Sequence, residues 1–351
     1  MQDFIGFIFF AVWCKAPKLG PFGLHLFAAN TKLYEVVKSF HYDDTIGAEF
    51  FNGHVERIYG LFSQLSPKDI KQFRCWYRGN NDLENVCANN PATRLARYEE
   101  IAPAHPELSK LLAVFFKGLY SQSLLDLSEL RKKIGDIDDH YKSFMSTNAT
   151  GRCPFCGINK LKGKYHSKRE AYDHYLPKAF YPFNSISFRN LVPACHECNS
   201  SYKGSQDPAY TPKDPARNPA RRKVFYPFST QAYRIELQIL LRHGDVRNLI
   251  PQDIDLYFGP PELSEKIDTW KDVYEIEERY RAELCSEDAQ DWIEQVLTAN
   301  RLHDETDGLI GKKPEAYLEE VACYASNAPY ANENFLKHGF LQACKAVGFF
   351  T

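Results

Sequence analysis

A chain of 351 residues is long enough for two or three compact units, each with its own core. Hydrophobic content of 44% and charged content of 25% are ordinary for a globular protein. No segment reaches the roughly 18 apolar residues of a membrane span, and the ten cysteines, four of them in close pairs, argue for a reducing cytoplasm over a disulfide framework. The formal charge of −2 is unevenly spread: Gly151 to Lys223 holds fourteen Lys and Arg against five Asp and Glu, and the remainder 29 against 40. A basic centre in an acidic chain is the electrostatic footprint of a phosphate-backbone binder.

The N-terminal run FIGFIFFAVW, Phe4 to Trp13, follows Asp3 without the basic region or small-residue cleavage site of a secretory signal, and reads as a buried strand or helix. Residues 1–147 as a whole read as a mainly helical domain. In LSPKDIKQFRCWY, Ser66 stands where a helix cap belongs and Pro67 at the first helical position. Between Pro106 and Met145 apolar residues recur at helical spacing, which predicts one or two long helices. STNATG, Ser146 to Gly151, reads as a loop at a domain boundary. The Asp-His of IDDHY, Ile137 to Tyr141, has no cysteine pair or downstream Asn beside it and is placed on a helix surface.

Residues 148–210 carry the chemistry. Cys153 and Cys156 form one C-x-x-C pair and Cys195 and Cys198 another, with 38 residues between the pairs. Four soft thiolates at this spacing suit a closed, structural zinc site. The segment they flank is poor in large apolar residues, so a metal would contribute folding energy directly. A redox dithiol would need only one pair, and the βαβ setting is missing. Asp173 and His174 end a strand-like stretch, AYDHYL, closed by Pro177; Asn190 opens NLVPAC; Asn199 follows the last cysteine; Lys203 lies four residues further along a predicted helix. His166 reads as a surface residue, and His196 and Glu197 as exposed between the metal ligands. The other six cysteines, Cys14, Cys75, Cys87, Cys285, Cys323 and Cys344, share no such spacing and read as small buried hydrophobes.

Five prolines between Asp207 and Phe228 make an extended basic connector that no regular helix could contain. Residues 211–351 then read as an α+β region. Tyr233, Ile235, Leu237, Ile239 and Leu241 alternate on one face, as do Ile254, Leu256 and Phe258, which predicts a pair of strands. From Ser264 the pattern turns helical, with further helices over Glu287 to Asn300, Pro314 to Tyr324 and Asn332 to Val347. GLIGKKP, Gly308 to Pro314, lacks the four-residue spacer and Ser/Thr of a nucleotide-binding loop.

The pattern C-x2-C…D-H-x-x-P…N-L-x-P-x-C-x-x-C-N…K-G resembles the HNH nucleases, the ββα-metal or His-Me finger superfamily, over about 55 residues and at about ten positions. The resemblance implies an α+β protein in which a zinc-bound ββα core is inserted between a mainly helical N-terminal region and a mostly helical C-terminal one. It implies His174 as general base, Asp173 and Asn199 as ligands of Mg2+ or Mn2+, Asn190 as the residue that orients His174 or pins its loop, and Lys203 as a phosphate contact. Successive strand residues face opposite ways, so Asp173 and His174 would approach a substrate from different directions. Lys162, Lys164, Lys168 and Arg169, beside the motif, read as nucleic-acid contacts. Two departures stand out: Asn199 occupies the place of the commonest third letter, His, and Lys203 follows it by four residues where three is more usual. The implied activity is metal-dependent hydrolysis of phosphodiester bonds, leaving 5′-phosphate and 3′-hydroxyl ends, with DNA favoured over RNA. The alternative is a non-catalytic, zinc-stabilised nucleic-acid-binding module, which would have no need to keep Asp173, His174 and Asn199 together. The large flanks are similar to those of nucleases in restriction or phage-defence operons, which implies a regulatory partner such as an ATPase encoded nearby.

Overall fold

The computed structural model describes residues 1–135, 137–148, 150–214 and 218–350. Among the described residues helices dominate, with two separate two-stranded antiparallel sheets, so the fold is mixed α+β. Among the described residues no helix is long and apolar enough to cross a membrane. The chain divides into two compact units: Met1–Thr147, Ser167–Ala194 and Gly204–Ser229 form the first, and Asn148–His166, Cys195–Lys203 and Thr230–Thr351 the second. Segment 148–210 therefore contributes to both, its cysteine pairs to the second unit and its Asp-His stretch to the first.

In the first unit, the apolar N-terminal run is helical. Gln2–Phe7 continues through a π-helical turn, Ile8–Val12, and a 3-10 turn, Trp13–Lys15. Ile5, Ile8, Phe9, Val12 and Trp13 are fully buried, each contributing about 1.5–3 kcal/mol of transfer free energy. Around this run pack the helices Ile46–Phe62, Pro67–Asn81 and Pro106–Gly118 in one hydrophobic core. Ser66 caps the second of these as its sequence predicts, its hydroxyl accepting from the Asp69 N–H, with Pro67 at the first turn. The apolar periodicity from Pro106 to Met145 resolves into four helices, Pro106–Gly118, Gln122–Leu125, Ser128–Ile134 and Ile137–Thr147, where one or two were expected. Gly135, at φ +79°, is one reason: a left-handed residue ends the helix before it. The predicted loop Ser146 to Gly151 includes Ala149, and the proline-rich connector includes residues 215–217; both lie outside the described residues. The described rest of the connector forms no helix, and Tyr210 bridges to Arg221 within it.

Onto these helices is fastened a short hairpin, β1 (Tyr172–His174) antiparallel to β2 (Leu191–Pro193), with Asp173 opposite Val192 and His174 opposite Leu191. Tyr172 and Leu191 pack on Tyr141 of the Ile137–Thr147 helix, so this helix is more than a surface feature. Asp138 and Asp139 are exposed, but the His140 ring stacks on Phe188 at 3.9 Å and its Nδ1 lies 2.7 Å from the Tyr172 hydroxyl.

The stretch linking β1 to β2 enters the helical core. Phe183 adopts φ +79° and is fully buried against Phe9, Tyr77 and Phe116. Asn80 holds this stretch in place: its amide donates to the Pro182 carbonyl (2.9 Å) and the Ala96 carbonyl (2.8 Å), its oxygen accepts from Ala96 N–H, and its own carbonyl accepts from the Asn184 amide. Because Asn80 is fully buried, truncating it leaves several polar groups with no solvent to replace it. Asn80→Ala should therefore destabilise the protein by about 2–3 kcal/mol in denaturant titration, whereas truncating a surface residue such as Lys71 should change stability by less than about 0.5 kcal/mol.

In the second unit, β3 (Glu236–Leu241) pairs with β4 (Ile254–Gly259), with Ile239 opposite Leu256, as the alternation predicts. Glu275, at φ +47°, splits the following helical pattern into Ser264–Tyr274 and Ile276–Leu284. Glu287–Glu305, Pro314–Asn327 and Asn334–Ala346 complete the unit, and the last packs on β3 through Gly339, whose absent side chain admits Ile239. Cys14, Cys87 and Cys344 are buried as expected. Cys75 and Cys323 are instead exposed, because they fall on the outward faces of amphipathic helices.

Candidate functional site

The second unit brings the two C-x-x-C pairs together. Cys153, Cys156, Cys195 and Cys198 are each at most 3% exposed, and their sulfurs lie within 4.8 Å of one another. Sulfurs around zinc at a Zn–S distance of about 2.3 Å sit about 3.8 Å apart, so the donor set and its spacing fit that ion. The backbone is already arranged for it. Cys195 N–H points at Cys153 Sγ (3.5 Å), Cys198 N–H at Cys195 Sγ (3.4 Å), and Gly157 turns the chain after the first pair at φ +72°. Without a cation, four buried thiols cannot all ionise. Hydrogen bonds from Cys153, Cys195 and Cys198 hold Cys156 well below the usual thiol range, and the same proximity, Cys153 first, pushes Cys195 and Cys198 up.

A residue that spacing could not reveal completes this centre. Arg279, 8% exposed on the helix Ile276–Leu284, donates to Cys198 Sγ (3.1 Å) and to Asn159 Oδ1 (2.9 Å), and stacks on the Tyr202 ring. Burial works against its charge, but the Cys198 and Cys156 sulfurs more than offset this and hold its pKa above the ordinary arginine value. A buried guanidinium offsets part of the double negative charge of a four-thiolate zinc site. The only signal in the sequence is a charged residue at the buried spacing of Ile276, Tyr280 and Leu284. Tyr280 donates to the Cys156 carbonyl, Phe155 stacks on Tyr274, and the Glu197–Lys203 helix packs on Ser264–Tyr274. His196 is exposed, and Glu197 accepts from the Asn159 amide.

The first unit holds Asp173, His174 and Asn190. Asp173 is 2% exposed, while His174 is half-buried at the end of β1. His174 Nε2 lies 2.9 Å from the Ser185 carbonyl, and Tyr120 meets the imidazole edge-to-face at 5.0 Å. Ser185 in turn donates through its hydroxyl to the Phe116 carbonyl, so the helical core fixes the group that fixes the imidazole. Asn190, fully buried, accepts from Leu176 N–H (2.8 Å) and donates to Leu176 carbonyl (3.0 Å), while its backbone carbonyl accepts from Tyr175 N–H. Its side chain thus clamps the turn that follows His174.

The basic residues are deployed unevenly. Lys164 and Lys168 are exposed and Lys162 is half-buried. Arg169 is paired with Asp138 at 2.7 Å and lies over the Tyr172 ring. Asn199 is half-buried on the Glu197–Lys203 helix, its N–H donating to the Cys195 carbonyl. Lys203, at 1% exposure, does not present its ammonium at the surface, where the expected phosphate contact would need it. His166 is exposed, as read from the sequence.

No family model matches the chain, and no solved structure matches it. Two curated proteins are similar to it. Over 115 residues it is 31% identical to protein ea31 of Escherichia phage lambda, 32% of this chain and 34% of that protein. Over 195 residues it is 25% identical to Septu protein PtuB of Bacillus thuringiensis, 55% of this chain and 68% of that protein. The chain thus spans about a third of the length of the lambda protein.

Proposed function

We propose that the protein is an HNH-type endonuclease that hydrolyses phosphodiester bonds, DNA favoured over RNA, and that it serves phage defence. The observation that carries this reading is the setting of His174. A backbone carbonyl can only accept, so the imidazole proton resides on Nε2, facing Ser185, and Nδ1 keeps its lone pair. An imidazole held in that tautomer is prepared to take a proton rather than to give one. In the proposed reaction Nδ1 removes a proton from water, the water oxygen attacks phosphorus, the P–O3′ bond breaks, and the departing 3′ oxygen takes a proton from solvent, leaving a 5′-phosphate and a 3′-hydroxyl. Asp173 and Asn199, which the sequence resemblance assigns to Mg2+ or Mn2+, are hard oxygen donors of the kind such ions prefer; the ion would neutralise charge at the leaving oxygen. The four-cysteine centre is structural, because its thiolates leave no open position on a tetrahedral ion.

The likeness to Septu protein PtuB supports the defence role, and a regulatory protein such as an ATPase is the partner proposed with it. Ten free cysteines agree with a cytoplasmic setting. The test is cleavage of supercoiled plasmid, single-stranded DNA and RNA by the purified protein with Mg2+, Mn2+ or EDTA, beside His174→Ala. Metal-dependent cutting by the wild type alone is expected. Equal binding of nucleic acid by both proteins with no cutting by either would replace this reading with the non-catalytic module.

A further inference from the structure

The Tyr120 ring is the meeting point of three side chains in the first unit. His174 meets it edge-to-face at 5.0 Å, Lys178 Nζ lies 5.2 Å from its centroid, and its hydroxyl, whose pKa burial raises, feels the charge of Arg169, which lowers it. The two cations differ in one respect. Arg169 is committed to Asp138 at 2.7 Å. Lys178 is half-buried and, among the described residues, pairs with no carboxylate, burial alone shifting its pKa. Its place is also fixed. Asn190 grips both the N–H and the carbonyl of Leu176, and the Pro177 carbonyl accepts from Phe180 and Tyr181, so Lys178 sits in a turn built directly onto the end of β1.

We infer that Lys178 is the cation that holds the scissile phosphate against His174, the role the sequence pattern gives to the buried Lys203. The inference rests on the nuclease reading of His174. Its chemistry is simple. A partly desolvated ammonium without an acid partner is stabilised by an incoming anion, and a phosphate bridging toward His174 supplies one. Burial lowers the Lys178 pKa, with no nearby carboxylate to raise it, which agrees with a cation awaiting its counterion. Tyr120 serves as the platform: its ring face attracts the ammonium while its edge positions the imidazole. A lysine retained only for the contact with Tyr120 would make the same cation–π pair, so the test must read phosphate contact rather than stability.

The experiment measures binding of a fluorescently labelled DNA duplex to full-length His174→Ala protein with and without Lys178→Met, over a range of salt concentrations. Methionine keeps an aliphatic stem over Tyr120, and a thermal melt checks that both proteins are folded. The slope of log affinity against log salt should fall by about 0.9 in Lys178→Met, the loss of one phosphate contact. In the His174 background, cleavage by Lys178→Met should fall on the order of 10²-fold, and Lys178→Arg should recover most of it. An unchanged slope, or no duplex binding by His174→Ala at all, overturns the inference. Full cleavage by Lys178→Met overturns it while leaving the nuclease reading intact. A reduced slope with no cutting by the wild type overturns the nuclease reading and the scissile-phosphate role with it, leaving Lys178 a backbone contact of a non-catalytic module.

Discussion

Replacing Cys198 by serine should abolish zinc binding by the four-cysteine cluster and destabilise the second unit by on the order of 5 kcal/mol. Structural zinc contributes about 10–16 kcal/mol of apparent binding free energy in zinc-finger peptides, comparable to the whole stability of a typical domain, and that energy is realised only with a complete thiolate set. Two features enlarge the cost here. Cys198 is fully buried, so a serine hydroxyl at that position has no solvent to turn to. Arg279 would also lose the sulfur that attends its guanidinium at 3.1 Å, leaving a charge at 8% exposure short of a partner. Metal content by elemental analysis and the melting curve of the variant check this, with Cys75→Ser as the control: an exposed cysteine whose loss should cost less than about 0.5 kcal/mol. Acid should release the metal from the wild type, because protons compete with it for four thiolates. Wild-type metal content and melting in Cys198→Ser would show that the cluster holds no structural ion.

What the sequence discloses of this centre and what it conceals follow from the range of the interactions involved. The cysteine pairs are legible because ligands to one ion recur at fixed short spacing, and the β3–β4 pair is legible because alternation is local to each strand. Arg279 is 81 residues from Cys198 and shows only as a charge at a buried helical position. Ser185 is invisible as a determinant of His174, since it acts through its backbone carbonyl and any residue has one. Lys203 misleads for a related reason: helical spacing places it on a face, but only packing decides whether that face meets water. The same holds for the division of segment 148–210 between two compact units, which depends on contacts far along the chain. Asn190 is an intermediate case. Its motif position suggests support for His174, yet the support it provides is a clamp on the Leu176 backbone.

His174→Ala should lower cleavage by about 10²–10⁴-fold, the range that a positioned general base contributes, while leaving stability nearly unchanged. Removing a half-buried ring from the end of β1 exposes little core, and the Ser185 carbonyl it leaves behind can take a water in its place. The loss should therefore appear in kcat and not in KM or in the melting temperature. Since Nε2 carries the proton toward Ser185, only Nδ1 is free of a hydrogen in the neutral ring, and a proton gained there abolishes the base. Wild-type activity should accordingly fall as the pH is lowered and rise toward a plateau as it is raised, and the residual activity of His174→Ala should lose this dependence. Free imidazole added to the alanine variant offers a sharper check, because it can occupy the vacated space beside Tyr120 and accept the proton in place of the side chain. Partial recovery that grows with imidazole concentration and with pH is expected. A variant that cuts at the wild-type rate would remove His174 from the chemistry, and with it the reason for reading the β1–β2 hairpin as a nuclease.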